Sequence, residues 1–260
     1  MVRRNDFNQF IHRVRDEFAI HAPQYDERAP HIADDAPLTR FVADRVLRAG
    51  RVLEFGIGTG RLAIPLSRNG FQITGIDLSG DMLARLAGQP ESQRMTLVEG
   101  TFTEPHDLGT FDAVICIYNT LYHTHTQEAQ QAALCRAAEY LNPNGLVLLE
   151  NTAASWLVRA YGRDDSRLSV REVGAVSAEL TAGTISLHEQ ILRNIHMSVS
   201  DGQISTRPVT MRYLWPAELH LLADRAGLVV AEEYSDWNEA EFTSTSDNHI
   251  VVLRKSGATK

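Results

Sequence analysis

The sequence is short of several features that would each define a class of protein. Only two cysteines occur among 260 residues, Cys116 and Cys135, so neither a disulfide scaffold nor a cysteine-based zinc site can be built. No apolar run approaches the roughly 20 residues of a membrane-spanning helix, and no signal-peptide hydrophobic segment stands at the N-terminus. We therefore expect reduced thiols, no membrane partner and a cytoplasmic location.

Positive charge is also scarce. The formal net charge is −8, and Lys and Arg form no run longer than two residues, such as Arg3 and Arg4 at the start. Because binding to a nucleic-acid backbone needs a basic field, this composition predicts no nucleic-acid partner. The hydrophobic content of 43% and charged content of 22% are ordinary for a globular protein. The length suits one large domain, or one domain with an insertion.

Glycine is concentrated at one point of the chain. Residues 52–60 read Val-Leu-Glu-Phe-Gly-Ile-Gly-Thr-Gly, an apolar strand that breaks into three alternate glycines before a helical pattern begins. Such a turn lets backbone N–H groups at a helix start approach a nucleotide or a carboxylate. Arg61 stands where the dinucleotide fingerprint has its third glycine, which argues against a dinucleotide. Asp77 ends the next strand about twenty residues downstream, the distance at which a carboxylate meets ribose hydroxyls.

Strand and helix patterns alternate through the middle of the chain, which predicts an α/β fold with a doubly wound parallel sheet. Strands are expected at 51–55, 72–77, 95–99, 111–118, 145–151, 228–234 and 248–254, and helices at about 59–69, 79–88 and 126–141. Pro65 lies inside the first of these helices and is expected to bend it. Ser79 and Thr126 are expected N-caps.

The two flanks of this pattern differ from its centre. The first segment carries a helical apolar stripe that suits a lid or a packing helix. Residues 175–213 have strand-like stretches around an Asp-Gly turn, which predicts a late antiparallel β insertion that covers a substrate. The predicted divisions are an N-terminal helical lid (1–50), a cofactor-binding core (51–151), a substrate-cover insertion (152–213) and the remainder of the core (214–260). The lid helix and the insertion are both candidate interfaces of a homodimer.

The motif from Glu54 to Gly60, followed by Asp77, resembles that of the class I S-adenosylmethionine-dependent methyltransferases, E/D-x-G-x-G-x-G with an acid ending the second strand. The resemblance covers roughly residues 50–151. It implies a Rossmann-like seven-stranded sheet, mostly parallel with an antiparallel last strand, and S-adenosyl-L-methionine as cofactor. The residues assigned to the cofactor are Tyr25, Glu54, Gly56, Ile57, Gly58, Gly60, Asp77, Leu78, Met82, Thr101, Phe102, Ile117 and Asn119. Thr101 replaces the acid that many relatives direct at the adenine amino group, so that contact stays open.

The loop after the fourth strand, residues 119–125, is dense in groups that hydrogen-bond or exchange protons. His123 is the first candidate for a general base or an orienting group, because an unperturbed imidazole titrates near neutral pH. A purely structural histidine is the alternative. Tyr118 and Tyr122 are candidate substrate-wall residues, with packing as the alternative. His123 and His125 have no acidic partner at motif spacing, so no metal is expected.

The same loop and the tail around Trp215 and Trp237 look like those of glycine and deoxysugar N-methyltransferases. This resemblance implies methyl transfer to a small molecule, preferably at nitrogen, with an amino sugar, an amino acid or another metabolite as acceptor. The alternatives are a small-molecule O- or C-methyltransferase and a non-catalytic cofactor-binding protein of the same fold. The acidic charge and the absence of an Asn/Asp-Pro-Pro-Tyr/Phe motif disfavour an RNA or protein methyltransferase.

Overall fold

The computed structural model describes residues 14–15, 36–47, 49–162 and 166–257. Most of the predicted lid, including Tyr25, lies outside these ranges. The helices within them are α1 (Ala36–Arg45), α2 (Ala63–Arg68), α3 (Gly80–Ala87), α4 (Gln127–Tyr140), α5 (Ala154–Tyr161) and α6 (Pro216–Arg225). The strands are β1 (Arg51–Phe55), β2 (Gln72–Asp77), β3 (Thr96–Glu99), β4 (Phe111–Cys116), β5 (Leu141–Thr152), β6 (Ser166–Val173), β7 (Ser177–Ser186), β8 (Ile191–Ser200), β9 (Gln203–Arg212), β10 (Leu228–Tyr234) and β11 (Asn248–Lys255).

Seven strands form the main sheet in the order β10-β11-β5-β4-β1-β2-β3. Strands β1 to β5 are parallel, and β11 is antiparallel to both of its neighbours. The central strands are continuous apolar runs because helices cover both faces of the sheet, as buried residues such as Leu53, Val114 and Val147 show. The predicted fold, with its antiparallel last strand, is confirmed. The carboxyl ends of β1, β2, β3 and β4 meet at one edge, where ligands of such sheets bind.

The helix after the glycine turn corrects one prediction. It was expected over 59–69 with Pro65 as an interior kink, whereas α2 begins only at Ala63. Pro65 is therefore the third residue of the helix. Backbone N–H groups in the first turn have no intrahelical acceptor, so a proline there removes no helical hydrogen bond. The late start leaves residues 56–62 as an irregular turn beside the strand ends. The expected caps are confirmed, since the hydroxyls of Ser79 and Thr126 accept bonds from the first turns of α3 and α4.

Strand β4 is shorter than predicted. It ends at Cys116 rather than at residue 118, because Tyr118 and Asn119 have positive φ angles of 56° and 64° and turn the chain out of the strand. A short 3₁₀ segment, Thr120–Thr124, follows. The loop that carries the candidate histidine thus folds back across the strand ends.

The second sheet is antiparallel, in the order β6-β7-β8-β9. It lies within the predicted insertion, residues 152–213, and the prediction of an antiparallel β unit there is confirmed. Helix α5 was not predicted, although Ala154, Leu157, Val158 and Tyr161 have helical apolar spacing. The exact boundaries of the four predicted divisions stay a prediction.

A buried polar cluster anchors this second sheet to the main one. Arg212, the last residue of β9, donates to Gln130 of α4 at 2.6 Å and to Glu218 of α6 at 2.7 Å. Gln190 donates to the other oxygen of Glu218 at 2.6 Å. Burial opposes ionisation of Glu218, but the bonds from Gln190 and Arg212 outweigh it and hold the pKa of this carboxyl below its ordinary value. A charged, hydrogen-bonded pair therefore fixes the insertion against α4 and α6.

Among the described residues, no helix is both long and apolar enough to cross a membrane.

Candidate functional site

A cavity of about 270 Å³ lies at the carboxyl ends of β1 and β2, beneath the second sheet. Its size is near the lower end of the roughly 300–1,000 Å³ typical of small-molecule sites. It brings together eleven of the residues that the sequence predicted. They are Glu54, Gly56, Ile57, Gly58, Asp77, Leu78, Met82, Thr101, Phe102, Tyr118 and His123.

The glycine turn forms one wall of the cavity. Gly56 has φ +71° and closely faces the Thr120 side chain, so a Cβ there would collide with it. Gly58 has φ +54°, and a Cβ added to it would meet only the carbonyl oxygen of Gly56, at 4.0 Å. The lack of a side chain at Gly56 therefore allows Thr120 to pack closely against it. At Gly58 the lack of a side chain leaves open space next to backbone that lines the cavity. That is the arrangement expected where a ligand approaches the main chain.

Asp77 connects this turn to the next helix. Its two carboxylate oxygens accept bonds from the N–H of Gly58 at 2.8 Å and from the N–H of Ser79 at 2.9 Å. Burial raises the pKa of Asp77, against the opposing effect of these backbone bonds. Each carboxylate oxygen can accept a second hydrogen bond, so Asp77 can hold both the turn and a pair of ligand hydroxyls. The capping and ligand-binding roles are compatible.

Arg61 was not predicted as a site residue. Its guanidinium carbon lies 3.2 Å from the centre of the Tyr118 ring, and the arginine lines the cavity. Its Nε and Nη2 atoms are buried without a hydrogen-bond partner among the described residues. A buried guanidinium with unsatisfied donors is unfavourable unless an acceptor binds. The sequence signal was its position directly after Gly60, in the turn that precedes α2.

Other lining residues that sequence reasoning missed fall into two groups. Thr59, Gly100, Thr103, Thr120 and Thr124 adjoin predicted residues in the motif turns, so a wider reading of each turn would have included them. Val14, Ala129, His196, Arg207, Pro208 and Val209 come from the lid, from α4 and from the second sheet. Their contribution depends on how distant elements dock, which no local pattern specifies.

Tyr122 requires a correction, because it is not a substrate-wall residue. Its side chain is fully buried in the core, and its hydroxyl donates to the carbonyl oxygens of Thr152 and Leu214. Burial raises the pKa of this phenol far above its usual value. Tyr122 thus joins the post-β4 loop to the end of β5 and to the chain after β9. Its role is structural.

Three residues predicted to bind the cofactor do not line the cavity. The Asn119 side chain is bound to β5, where its Oδ1 accepts from the N–H of Thr152 at 2.7 Å. Ile117 is buried in the core. Gly60 allows the turn to pack against α3, because a Cβ there would overlap the Leu86 side chain. These three residues lie behind the residues that line the cavity and are not part of the lining.

His123 lines the cavity, but its chemistry differs from the expectation. Burial lowers its pKa to about 3, with repulsion from His125 and Arg207 adding to the effect and a bond to the Thr210 backbone opposing it. The imidazole is therefore neutral near pH 7 and resists protonation. Such a group is a weak general base, so an orienting role fits His123 better.

This pKa predicts the pH dependence of any reaction in the cavity. We expect the kcat/KM profile to show no His123 ionisation between pH 5 and 8, because the imidazole stays neutral over that range. The profiles of the wild type and of His123→Gln should be parallel, differing in height alone. A wild-type limb near the ordinary histidine pKa that disappears in His123→Gln would contradict this assignment.

Among the described residues, no three His, Cys, Asp or Glu side chains are grouped as a metal site requires.

The family comparison agrees with the motif that the sequence carries. Residues 52–145 match the family model described as a methyltransferase domain. The seven-stranded sheet and the cavity at the glycine turn and Asp77 are those that the first motif predicted. Residues 52–145 thus carry a methyltransferase domain, on the sheet that the resemblance to class I S-adenosylmethionine-dependent methyltransferases implied.

Individual curated proteins and solved structures that resemble this chain are named methyltransferases. It is 29% identical to the CcbJ methyltransferase of Streptomyces caelestis, with a TM-score of 0.81 over 86% of this chain and 90% of that one. It is 34% identical over 104 residues to a putative methyltransferase of Geobacillus sp. strain WCH70, covering 39% of this chain and 42% of the relative. It is 31% identical over 107 residues to a glycine/sarcosine N-methyltransferase of Parasynechococcus marenigrum, covering 40% and 38%. The chain thus spans about half the length, or less, of these curated relatives.

Proposed function

We propose that this protein transfers the methyl group of S-adenosyl-L-methionine to a nitrogen of a small molecule, such as an amino sugar, an amino acid or another metabolite. The observation that carries the proposal is one cavity that combines the open face of Gly58, the Asp77 carboxylate and the buried guanidinium of Arg61. The similarity to a glycine/sarcosine N-methyltransferase supports nitrogen as the accepting atom. Transfer to oxygen or carbon, and cofactor binding without transfer, are the alternatives.

The lining residues match the chemistry of the cofactor part by part. The Asp77 carboxylate suits the two ribose hydroxyls, since an ionised carboxylate accepts both bonds. Leu78, Met82 and Phe102 supply an apolar surface for adenine, and the Phe102 ring is itself stacked on Phe55 at 5.0 Å. The unsatisfied donors of Arg61 suit the methionine carboxylate. The ribose hydroxyls, the adenine face and the methionine carboxylate therefore each have a complementary group.

The residues of this chain align the reactants rather than activate them. S-Adenosylmethionine, when bound, supplies a methyl group already activated by its sulfonium sulfur. The site contributes a cavity lined on one side by residues of the second sheet, which can hold the acceptor against the cofactor. The neutral His123 can orient the acceptor by a hydrogen bond, but it removes a proton poorly. A neutral amine, which already offers a lone pair, needs less of a base than a hydroxyl does, and this favours nitrogen.

The Asp77→Asn variant tests the cofactor site. We expect its dissociation constant for S-adenosylmethionine to rise at least about a hundredfold, because two charge-assisted bonds weaken at about 1.5–3 kcal/mol each. Asp81→Asn is the matched control, since Asp81 is exposed in the first turn of α3 and does not line the cavity. Titration calorimetry measures both. Equal affinity in the wild type and Asp77→Asn would refute the assignment of Asp77.

The reaction itself is tested with methyl-labelled cofactor and separate pools of amines, alcohols and carbon acids. Label that appears in the amine pool supports the proposal, and label in another pool identifies the O- or C-transfer alternative. Tight cofactor binding without transfer to any pool would favour the non-catalytic alternative. We also propose that the protein acts in the cytoplasm, which its two free thiols, Cys116 and Cys135, support.

A further inference from the structure

A row of polar side chains crosses the inner face of the second sheet. The strand register pairs Ser169 with Thr181, Thr181 with His196, and His196 with Arg207. Directly paired residues project from the same face of a sheet. His196 and Arg207 line the cavity from above, opposite the loop that carries His123. Two basic side chains on neighbouring strands therefore face the space left for an acceptor.

The geometry of this pair is fixed by the sheet. The Nδ1 atom of His196 lies 2.9 Å from the Thr181 hydroxyl, which orients the imidazole ring. Arg207 is only half-buried, so its guanidinium is reached from the cavity. A guanidinium and an imidazole at directly paired positions of adjacent strands can both donate to one oxyanion. The pair is thus arranged as a binding site for an anion.

The charges around the cavity are separated into two sides. Its acids among the described residues, Glu54 and Asp77, stand at the ends of β1 and β2 beside the glycine turn. The described lining residues of the second sheet and of the post-β4 loop include no carboxylate. The positive charge of Arg207 also acts on His123, since it contributes to the lowered pKa of that imidazole. Among the described lining residues, the second-sheet side of the cavity therefore presents the two basic groups His196 and Arg207.

We propose that the acceptor carries an oxyanion, a carboxylate or a phosphate group, which Arg207 and His196 bind while the nucleophilic nitrogen faces the cofactor. The inference rests on the proposed function and narrows its substrate class. The planar guanidinium matches either oxyanion with two parallel hydrogen bonds, and the imidazole adds a third donor.

Titration calorimetry with inorganic phosphate and with acetate tests this site in the full chain saturated with S-adenosylhomocysteine. We expect one of the two anions to bind the wild type at millimolar concentration, and the tighter one identifies the class of oxyanion. Arg207→Gln should weaken that binding roughly tenfold or more, because a charge-assisted pair is lost. Arg207→Lys should restore part of it. The affinity of Arg207→Gln for S-adenosylmethionine should stay within about twofold of the wild type.

Arg193→Gln is the matched control. Arg193 lies on β8 of the same sheet, is exposed, and pairs with Glu189 outside the cavity. It should bind the anion as the wild type does. Equal anion affinity in Arg207→Gln and the wild type, or no binding of either anion up to about 10 mM, would overturn the proposal. So would binding that is lost in Arg61→Gln instead, since the anion would then occupy the cofactor end. Failure of S-adenosylmethionine to bind the wild type would refute the proposed function separately.

The opposite, outer face of the second sheet carries an independent inference. Three cross-strand rows on that face are apolar except at Thr206, and five of their side chains are between 46% and 73% exposed: Leu168, Val170, Val173, Ile195 and Ile204. Single exposed apolar residues are normal, but a continuous face of them marks an interaction surface. Sheets pack face to face across such surfaces.

We infer that a second copy of this chain covers the outer face. Four strands of about ten residues present roughly 600 Å² at ordinary strand spacing, so two copies bury about 1,200 Å² in total, above the minimum for a specific interface. A twofold axis lets the same apolar face serve both partners. Contact with water or with a charged protein surface would leave these apolar side chains without apolar partners.

Sedimentation analysis tests the inference. The wild type should be a dimer at micromolar concentration, and Ile195→Arg should raise the dimer dissociation constant at least about a hundredfold, because the interface contains each new charge twice. Val229→Arg, on β10 of the main sheet, is the matched control and should stay dimeric. A monomeric wild type, or an Ile195→Arg variant that still dimerises normally, would overturn the inference.

Discussion

Replacing Gly58 by leucine is expected to eliminate S-adenosylmethionine binding while the chain still folds. A Cβ at this position meets no protein atom closer than 4.0 Å, so the new side chain starts from its Cβ without a clash. It extends instead into the cavity between the glycine turn and Asp77, where the ligand belongs. Because a packed site has no room for both the leucine side chain and S-adenosylmethionine, the affinity for S-adenosylmethionine should fall more than about a hundredfold.

The backbone of Gly58→Leu also becomes strained, and a control is needed for that effect. With φ +54° the substitution costs about 1–2 kcal/mol in folding free energy. Gly70 has φ +90°, nothing within 4 Å of an added Cβ, and a position between α2 and β2 away from the cavity. Gly70→Leu should therefore lose similar stability and keep its affinity. Urea unfolding and calorimetry on both variants separate the two effects, and undiminished binding by Gly58→Leu would remove the turn from the site.

Arg212→Ala is expected to be the most destabilising of the substitutions considered. It leaves the Glu218 carboxylate buried beside Gln127 and Gln190 without its cationic partner. Removal of one partner of a buried ion pair costs about 3–5 kcal/mol. Arg193→Ala, which breaks an exposed pair on the same sheet, should cost only about 0.2–0.5 kcal/mol. Urea unfolding at neutral pH measures both, and similar losses for the two variants would contradict the anchoring role of Arg212.

The difference in folding free energy between the wild type and Arg212→Ala should depend on pH, because the pKa of Glu218 is lowered in the folded protein. A carboxyl whose folded pKa lies below its unfolded value of about 4.3 stabilises the fold above that value. The contribution is lost as pH falls through the folded pKa, because the carboxyl is then protonated in both states. The gap in stability between the wild type and Arg212→Ala should therefore narrow below about pH 4.3. A constant gap would show that the ionised Glu218 is not what Arg212 stabilises.

The sequence by itself determined the fold and the location of the cofactor loop. Alternating strand and helix periods predict the parallel sheet, and the spacing from Gly58 to Asp77 predicts that both lie at one sheet edge. Both features are local, since a positive φ at glycine and an apolar strand are properties of a few adjacent residues. For the same reason Ser79 and Thr126 were predicted correctly as caps.

Only the tertiary structure decided which polar residues face the cavity and in what ionisation state. Tyr122 and His123 are neighbours in one loop, yet the first is buried in the core and the second lines the cavity with its pKa lowered to about 3. The pairing of His196 with Arg207 depends on strand register, and the stacking of Arg61 on Tyr118 depends on how two loops meet. Burial, register and electrostatic fields are sums over residues distant in the chain, so no local pattern contains them. The sequence predicts the glycine turn at one edge of the sheet, and the packing of the second sheet decides which further groups line the cavity there.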